Sequence, residues 1–200
     1  MVGARPDDGL LDRREAVAGL LRNRGGLLVV CGPGSPSYDV HSVGDFDTNF
    51  YLWGAMGGAA LLGLGLPQAR IDRQVLVVTG DGEQLMGLGG LATIGVARPG
   101  NLMVAVLDTE RFGETGSQGS HTGRGVDLAS VASGCGFVEV RTVRDLVGVE
   151  AMREALHRRA DGPRLFVLKV RPVNVPRWLP PRDAVHLKNR FRAQLGLAVS

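Results

Sequence analysis

An acidic residue between two glycines, at the end of a buried strand, is the first feature of this sequence that suggests chemistry. The stretch VVTGDGEQLM places Gly80, Asp81 and Gly82 directly after a β-branched run and before a helical pattern. Such a turn exposes backbone N–H groups, which favour a phosphate. Asp81 repels that phosphate unless a cation lies between them. The usual magnesium site joins a carboxylate and phosphate oxygens through the hard divalent cation. The tripeptide also suits an ordinary Asp-Gly turn, so alone it leaves both interpretations open.

Two further loops carry residue types that suit a phosphorylated ligand. They are GPGSPSYD at 32–39, which includes Ser35, and DTERFGETGSQGSHTG at 108–123. Both are rich in glycines and hydroxyl groups, which bring backbone N–H and side-chain O–H donors close to an anion. The sequence therefore indicates three loops that contribute to one site.

Apolar runs with strand character alternate with helical patterns along the chain. The runs lie at 27–31, 75–79, 102–107, 137–140 and 164–170, and the helical patterns lie at 10–22, 54–64, 83–97, 126–133 and 144–160. Continuous apolar strands separated by helices predict an α/β fold, with a mainly parallel sheet covered by helices on both faces. Ligands of such sheets bind outside the carboxyl ends of the strands. We therefore expect the site at loops 32–50, 80–83 and 108–125.

Length and composition indicate one ordinary globular domain. The 200 residues are 44% apolar and 22% charged, which allows a sizeable core. We expect a cytoplasmic protein without a membrane span, because no apolar run is long enough to cross a bilayer. Residues 1–12 also carry charges where a signal peptide needs an apolar core.

Cysteine spacing and charge argue against several other classes of site. Cys31 and Cys135 stand far apart, with no Cys-x-x-Cys pair and no clustered histidines, so neither a disulfide framework nor a zinc site is indicated. We expect both to be small core residues. The net charge of +3 comes with scattered arginines and only 5% aromatic residues, which argues against a nucleic-acid partner.

A longer pattern around Asp81 resembles the motif of thiamine-diphosphate enzymes. In that family the motif runs from Gly-Asp-Gly to an asparagine after the next strand, and here the strand LMVAVLD leads into DTERFG. The stretch FYLWGAMGGAALLGLGL at 50–66 is similar to the Gly-x-Met-Gly segment that cradles the cofactor's pyrimidine. The loop DTERFGETGSQ resembles that of sulfopyruvate and phosphonopyruvate decarboxylases. The resemblance covers roughly residues 15–171 and implies the thiamine-diphosphate-binding (PP-domain) fold.

The resemblance implies a set of Mg²⁺ ligands, with one departure from the family. Asp81 is expected to bind the ion through its side chain, position 109 to give the second side-chain ligand, and Arg111 to contribute its carbonyl. Thr109 stands where the family has asparagine. A neutral hydroxyl is a poorer Mg²⁺ ligand than an amide carbonyl, so either metal binding is weaker or Asp108 rotates in. Thr109 also suits a solvated turn.

The same resemblance implies how the organic cofactor is held. The amides of Gly82 and Glu83 are expected to contact the diphosphate, and the Gly54 carbonyl to accept from the pyrimidine amino group. Met56 is expected to wedge between the two rings, although a methionine on a helix is also common as core filling. The implied cofactor-binding set is Gly54, Met56, Gly80, Gly82, Glu83 and Ser35.

The loop after position 111 is the candidate substrate loop. Its candidate contacts are Glu114, Gln118 and His121, each of which also suits an exposed surface position. A phosphonate or sulfonate headgroup requires cations, and Arg111 and Arg124 are available for it.

The resemblance further implies that this chain forms half of an active site. Thiamine-diphosphate enzymes carry the activating glutamate on a separate pyrimidine-binding domain, for which no length remains here. In sulfopyruvate decarboxylase that domain is a separate α subunit, so we expect a heteromer that decarboxylates a small 2-oxoacid and a β-type chain that is inactive alone. A carboligase subunit and a non-catalytic regulatory subunit that has lost its metal are the alternatives.

The sequence divides into a cofactor-binding domain at 1–171 and an extension at 172–200. The extension begins with a proline-rich stretch and continues into a basic helix that starts near Asp183. With so short an apolar face, the helix suits a subunit contact or a solvated surface, and Trp178 suits an anchor there.

Overall fold

Eight strands and eight α-helices lie along residues 9–198, the part of the chain that the computed structural model describes. The strands are β1 (Leu28–Cys31), β2 (Asn49–Tyr51), β3 (Val75–Gly80), β4 (Leu102–Asp108), β5 (Arg111–Phe112), β6 (Gln118–Gly119), β7 (Glu139–Val143) and β8 (Arg164–Lys169). The helices are α1 (Arg13–Leu21), α2 (Ser35–Val43), α3 (Ala59–Ala69), α4 (Asp81–Met86), α5 (Gly90–Ala97), α6 (Leu128–Gly134), α7 (Leu146–Leu156) and α8 (Ala184–Gln194). None of the described helices has both the length and the apolar character that a membrane span requires.

The six longer strands form one parallel sheet, which confirms the predicted fold class. Their order is β2, β1, β3, β4, β8, β7, while β5 and β6 pair as a small antiparallel ribbon. In the pairing of β3 with β4, Gly80 stands opposite Leu107. This register brings Asp81 and Asp108, the residues that come next in each strand direction, to the same edge of the sheet.

Apolar side chains alternate between the two faces of the sheet. Along β1, Val29 and Cys31 point to the core under α1, α2 and α7, whereas Leu28 and Val30 point to the core under α3, α5 and α6. Both faces are therefore buried, as the continuous apolar runs predict. Cys31 is buried as expected, but Cys135 is only half-buried.

Two predictions on the amino-terminal side are wrong, and each error has a local cause. The stretch 32–50, predicted as a loop, contains α2 and β2. Pro36 occupies the first turn of α2, where its missing N–H costs nothing, so the Gly, Pro and Ser residues mark a helix start. The helix predicted at 54–64 begins only at Ala59, because the glycines before it form an irregular segment.

Two further differences lie in the middle of the chain. The single helix predicted at 83–97 is two helices, α4 and α5, which the glycine-containing turn at 87–89 separates. The strand predicted at 137–140 is instead β7, and its outer position in the sheet leaves it more polar and more exposed than the central strands.

The C-terminal helix α8 begins where the sequence predicts. Asp183 caps it, since its carboxylate accepts from the amides of Val185 and His186. Leu187 and Phe191 are buried against the sheet, so α8 packs on the same cores as the rest of the domain. Trp178, the expected anchor, is about half exposed. Residues 1–8 and 199–200, which the predicted division assigns to the two ends, lie outside the described residues.

Helix α8 also covers the outer strand β2. The rings of Phe191 and Phe50 meet edge to face with centroids 5.8 Å apart. Arg190 makes a two-pronged contact with Asp45, with N–O distances of 2.7 and 2.8 Å, and its guanidinium lies 3.5 Å from the Asn49 carbonyl oxygen. This ion pair and ring contact hold the end of the chain on the sheet.

Two glycines of α3 provide a paired test of its packing on β3. A Cβ at Gly63 would overlap Val77 Cγ2, whereas a Cβ at Gly65 would meet nothing within 4 Å. We expect Gly63→Ala to lower the free energy of unfolding by about 1–3 kcal/mol through overpacking. Gly65→Ala should raise it by about 0.5–1 kcal/mol, because alanine favours the helix. Urea unfolding of the two variants measures both changes, and equal effects would contradict the close approach of α3.

Candidate functional site

A cavity of about 380 Å³ opens at the carboxyl ends of β1, β3 and β4. This is the edge at which ligands bind parallel sheets. Most of the residues selected from the sequence line it: Ser35, Met56, Gly80, Asp81, Gly82, Glu83, Thr109, Arg111 and Glu114. Gly54, Gln118 and His121 are exposed and are not among its lining residues.

The Gly80-Asp81-Gly82 turn forms the floor of the cavity. Helix α4 begins at Asp81 directly after β3, so the N–H groups of its first turn have no partner within the helix. A Cβ at Gly82 would stand 2.9 Å from the Phe112 ring, so a side chain at this position would crowd the loop that covers the turn. The turn thus exposes backbone donors beside a buried carboxylate.

Hydrogen-bond donors surround the Asp81 carboxylate. Its Oδ1 accepts from the Thr109 amide at 3.2 Å, and its Oδ2 accepts from the Ser120 hydroxyl, with Thr122 Oγ1 at 3.3 Å. Burial raises the pKa of Asp81 above its ordinary value, and the nearby charge of Asp108 acts in the same direction against the Ser120 hydrogen bond. A cation at this carboxylate would offset both effects.

Thr109 lies close to both of the other expected metal ligands. Thr109 Oγ1 lies 3.2 Å from Asp81 Oδ1 and 3.0 Å from the Arg111 carbonyl oxygen. At an Mg–O distance of about 2.0–2.1 Å, neighbouring oxygens of an octahedral site stand roughly 2.9 Å apart. The observed spacing fits such a set. Among the described residues no group of three His, Cys, Asp or Glu side chains could hold a metal, so phosphate and water oxygens would complete the shell.

Asp108, the alternative ligand, is held by other partners. Its Oδ2 accepts from Lys169 Nζ at 2.6 Å, and its Oδ1 accepts from Thr122 Oγ1 at 2.8 Å and from the Glu110 amide at 3.0 Å. The pairing of β4 with β8 places Asp108 opposite Lys169. Thr109, not Asp108, therefore faces Asp81 Oδ1.

Ser120, Thr122 and Lys169 belong to the site but were not expected there from the sequence. All three contact the acidic pair directly, through hydroxyl or ammonium donors. The hydroxyls in the glycine-rich loop were a signal for the first two. Lys169 had a weaker signal. It is a basic residue at the end of the apolar strand β8, and the neighbouring strand β4 ends in Asp108.

The Glu83 side chain points inward, although the sequence analysis assigned a role only to its amide. It is 4% exposed, its Oε1 accepts from the Ala59 amide at 3.0 Å, and its Oε2 accepts from the Thr79 hydroxyl. Burial raises the pKa of Glu83 to about 7, against hydrogen bonds from the backbone at Ala59 and Gly57. The carboxylate therefore links α4 to the segment that carries Met56.

Met56 reaches the cavity and is half exposed, so it is not core filling within the described residues. It lies in the irregular segment between β2 and α3, together with Gly54. A side chain in this position is available to a ligand that extends away from the Asp81 turn.

The candidate substrate loop closes part of the cavity mouth. Glu114 accepts from Ser35 Oγ at 3.1 Å and from Arg177 at 3.1 Å, which joins the loop to the C-terminal extension. Gln118 bonds within the loop to Thr115, and His121 packs edge to face on Phe112 at 6.0 Å. The last two residues shape the loop from outside the cavity.

The extension after β8 contributes to the cavity wall as well. Pro172, Val173 and Asn174 line it, and Trp53 donates to the Pro181 carbonyl at 2.9 Å. The extension therefore runs from the substrate loop toward the segment that precedes Met56.

Comparisons with known proteins agree with this geometry. Residues 37–170 match the family model described as thiamine pyrophosphate enzyme, C-terminal TPP binding domain. The chain is similar to the 4-hydroxybenzoylformate decarboxylase of Rhodococcus jostii RHA1, described as thiamine diphosphate-dependent, with a TM-score of 0.70 and 21% identity. That match covers 84% of this chain and 34% of the solved chain, and it supports the fold.

Two groups of relatives are closer in sequence. Sulfopyruvate decarboxylase subunit beta of Methanothermobacter thermautotrophicus is 36% identical over 185 residues, which cover 91% of this chain and 94% of that subunit. Phosphonopyruvate decarboxylase of Streptomyces viridochromogenes is 40% identical over 167 residues, which cover 82% of this chain but only 41% of that protein. These matches confirm the resemblance drawn from the motifs. The chain belongs to the thiamine pyrophosphate enzyme family, as a cofactor-binding domain related to sulfopyruvate decarboxylase subunit beta.

Proposed function

We propose that this chain is the β-type subunit of a cytoplasmic, Mg²⁺-dependent 2-oxoacid decarboxylase that uses thiamine diphosphate. Its substrate is of the sulfopyruvate or phosphonopyruvate type, and a separate α-type subunit completes the active site. The observation that carries the proposal is the position of Thr109 Oγ1, 3.2 Å from Asp81 Oδ1 and 3.0 Å from the Arg111 carbonyl oxygen, beside the first turn of α4.

The residues of the site have distinct roles in this proposal. Asp81, Thr109 and the Arg111 carbonyl hold Mg²⁺, and the amides of Gly82 and Glu83 bind the diphosphate. Met56 supports the ring end of the cofactor from its half-exposed position at the cavity. When bound, thiamine diphosphate supplies the nucleophilic carbon and the electron sink for the loss of CO₂.

The place of Thr109 supports an active metal site. The alternative of a regulatory subunit was motivated by threonine at an asparagine position. Its hydroxyl nonetheless lies at ligand spacing from two other oxygens. Oxygen ligands of this kind suit Mg²⁺, which keeps several water or phosphate ligands in most sites.

An exposed apolar face supports the need for a partner. Met56, Leu61 and Met86 are each at least 43% exposed. They lie close together, since a Cβ at Gly57 would contact Met86 and a Cβ at Gly90 would contact Leu61. Apolar clusters of this kind mark subunit contacts. Three of the relatives are named sulfopyruvate decarboxylase subunit beta, and phosphonopyruvate decarboxylase is more than twice the length of the matched region.

Co-expression with an α-type subunit tests the function directly. We expect a mixed oligomer that Mg²⁺ and thiamine diphosphate tighten, because a ligand bound by both subunits stabilises their complex. The pair should release CO₂ from one or more 2-oxoacids in a screen, and the chain alone should release none. Sedimentation with and without cofactor measures the assembly. A fully active monomer of this chain alone would contradict the proposal that the chain forms half of an active site.

Removal of the Asp81 charge tests the metal site. Asp81→Asn should weaken Mg²⁺-dependent cofactor binding at least about tenfold, or about 1.4 kcal/mol, because an amide cannot balance the cation. Calorimetry of the assembled pair measures this change. Asp161→Asn, an exposed change before β8 at the opposite edge of the sheet, is the matched control.

Thr109→Asn is the complementary change at the same site. If position 109 is a ligand, an amide carbonyl should keep or tighten Mg²⁺ binding. Unchanged affinity in Asp81→Asn, or loss of Mg²⁺ binding in Thr109→Asn, would contradict the assigned ligand set.

Truncation of Met56 tests its role at the ring end of the cofactor. Met56→Ala leaves the diphosphate anchor intact but removes the support for the rings, so turnover should fall much further than cofactor affinity. Steady-state kinetics and calorimetry on the same preparation separate the two effects. An equal loss in both measurements would instead indicate a general packing role.

A further inference from the structure

The Glu83 carboxylate is a buried acceptor shared by two parts of the site. It stands in the first turn of α4, two residues after Asp81, yet its side chain points to the segment between β2 and α3. The Ala59 amide donates to Oε1 at 3.0 Å, and the Thr79 hydroxyl donates to Oε2. A carboxylate only accepts, so one side chain satisfies both of these converging donors.

The fold leaves space for this carboxylate at the end of β1. A Cβ at Gly32 would overlap Glu83 Oε2 and would lie 3.2 Å from Thr79 Oγ1. Only glycine at this position lets the carboxylate reach the Thr79 hydroxyl. The ends of β1 and β3 therefore fix where the Glu83 side chain lies.

A second contact holds the same segment at the other end of α4. Gly57 has φ of 85°, and a Cβ there would stand 2.9 Å from the Gly87 nitrogen. Glu83 binds the segment at the start of α4, and the backbone of Gly87 packs against it just after the helix. The segment with Met56 is thus attached at two points to the helix that begins with Asp81.

We propose that the Glu83 side chain is a positioning residue, which fixes the distance between the diphosphate turn and the segment that carries Met56. The proposal rests on the proposed function, in which Asp81 anchors the diphosphate and Met56 supports the rings. Glu83 acts through backbone hydrogen bonds and touches neither the metal nor the rings. Its loss should free the ring-binding segment while the anchor keeps its form.

The effect should separate two ligands that share the same anchor. Inorganic pyrophosphate with Mg²⁺ uses only the Asp81 turn, whereas thiamine diphosphate with Mg²⁺ also uses the segment at 54–58. In the assembled pair, Glu83→Ala should keep pyrophosphate affinity within about twofold and weaken thiamine diphosphate at least about fivefold, as calorimetry measures. Glu83→Gln keeps an acceptor of the same length, so it should restore most of that loss.

Amide hydrogen exchange reports on the same segment without activity. We expect the Ala59 amide to exchange at least about tenfold faster in Glu83→Ala than in the wild type, because it loses its acceptor. Asn101→Ala is the matched control. Asn101 is buried at the opposite edge of the sheet and donates to the carbonyls of Arg70 and Arg73, so this change should lower stability but leave both affinities unchanged.

The outcomes distinguish the two proposals. A wild-type assembled pair that binds neither ligand would argue against the proposed function itself. If the wild type binds both ligands with equal affinity, or if Glu83→Ala weakens both ligands equally, the positioning role is overturned. Unchanged exchange at the Ala59 amide in Glu83→Ala would overturn it as well. Selective loss of thiamine diphosphate, restored by Glu83→Gln, supports it.

Discussion

Two buried carboxylates at one edge of a parallel sheet are the constraint on which the site depends. The register of β3 and β4 brings Asp81 and Asp108 together, and their mutual repulsion adds to the cost of burial. The two carboxylates have different partners. Lys169 neutralises Asp108 through an ion pair, whereas all the donors that Asp81 has among the described residues are neutral. Asp81 is therefore the carboxylate that still gains from a cation, and the loop that covers it supplies the hydroxyls and the carbonyl nearby.

The sequence was sufficient to predict the parallel sheet and the edge that carries the site. Strands buried on both faces are continuous apolar runs, and the residue types at Gly80–Gly82 indicate a turn directly after such a strand. It was not sufficient for β2, which is only three residues long, or for α2, whose Pro36 and neighbouring glycine resemble a loop. Such short elements are stabilised by packing on their neighbours, and a local pattern does not contain that information.

Within the site, position along the chain did not predict the direction of several side chains. Glu83 was expected to act through its amide. The inward direction of its carboxylate depends on Gly32 and Ala59, which are distant in sequence. Lys169 meets Asp108 only because β8 lies beside β4. Gln118 and His121 were selected for their chemistry, but the antiparallel ribbon of β5 and β6 places them outside the cavity. These outcomes depend on strand order, which residue types alone do not specify.

The cover that α8 provides over β2 has a consequence for solubility. β2 is the outermost strand on its side of the sheet, and an uncovered outer strand offers free backbone groups to strands of other molecules. Phe191 lies on Phe50, and the Arg190 guanidinium approaches the Asn49 carbonyl oxygen, so the C-terminal helix shields this side from such pairing. This cover therefore disfavours β-type aggregation at this side of the sheet, while the exposed side chains of Met56, Leu61 and Met86 stay open to other contacts.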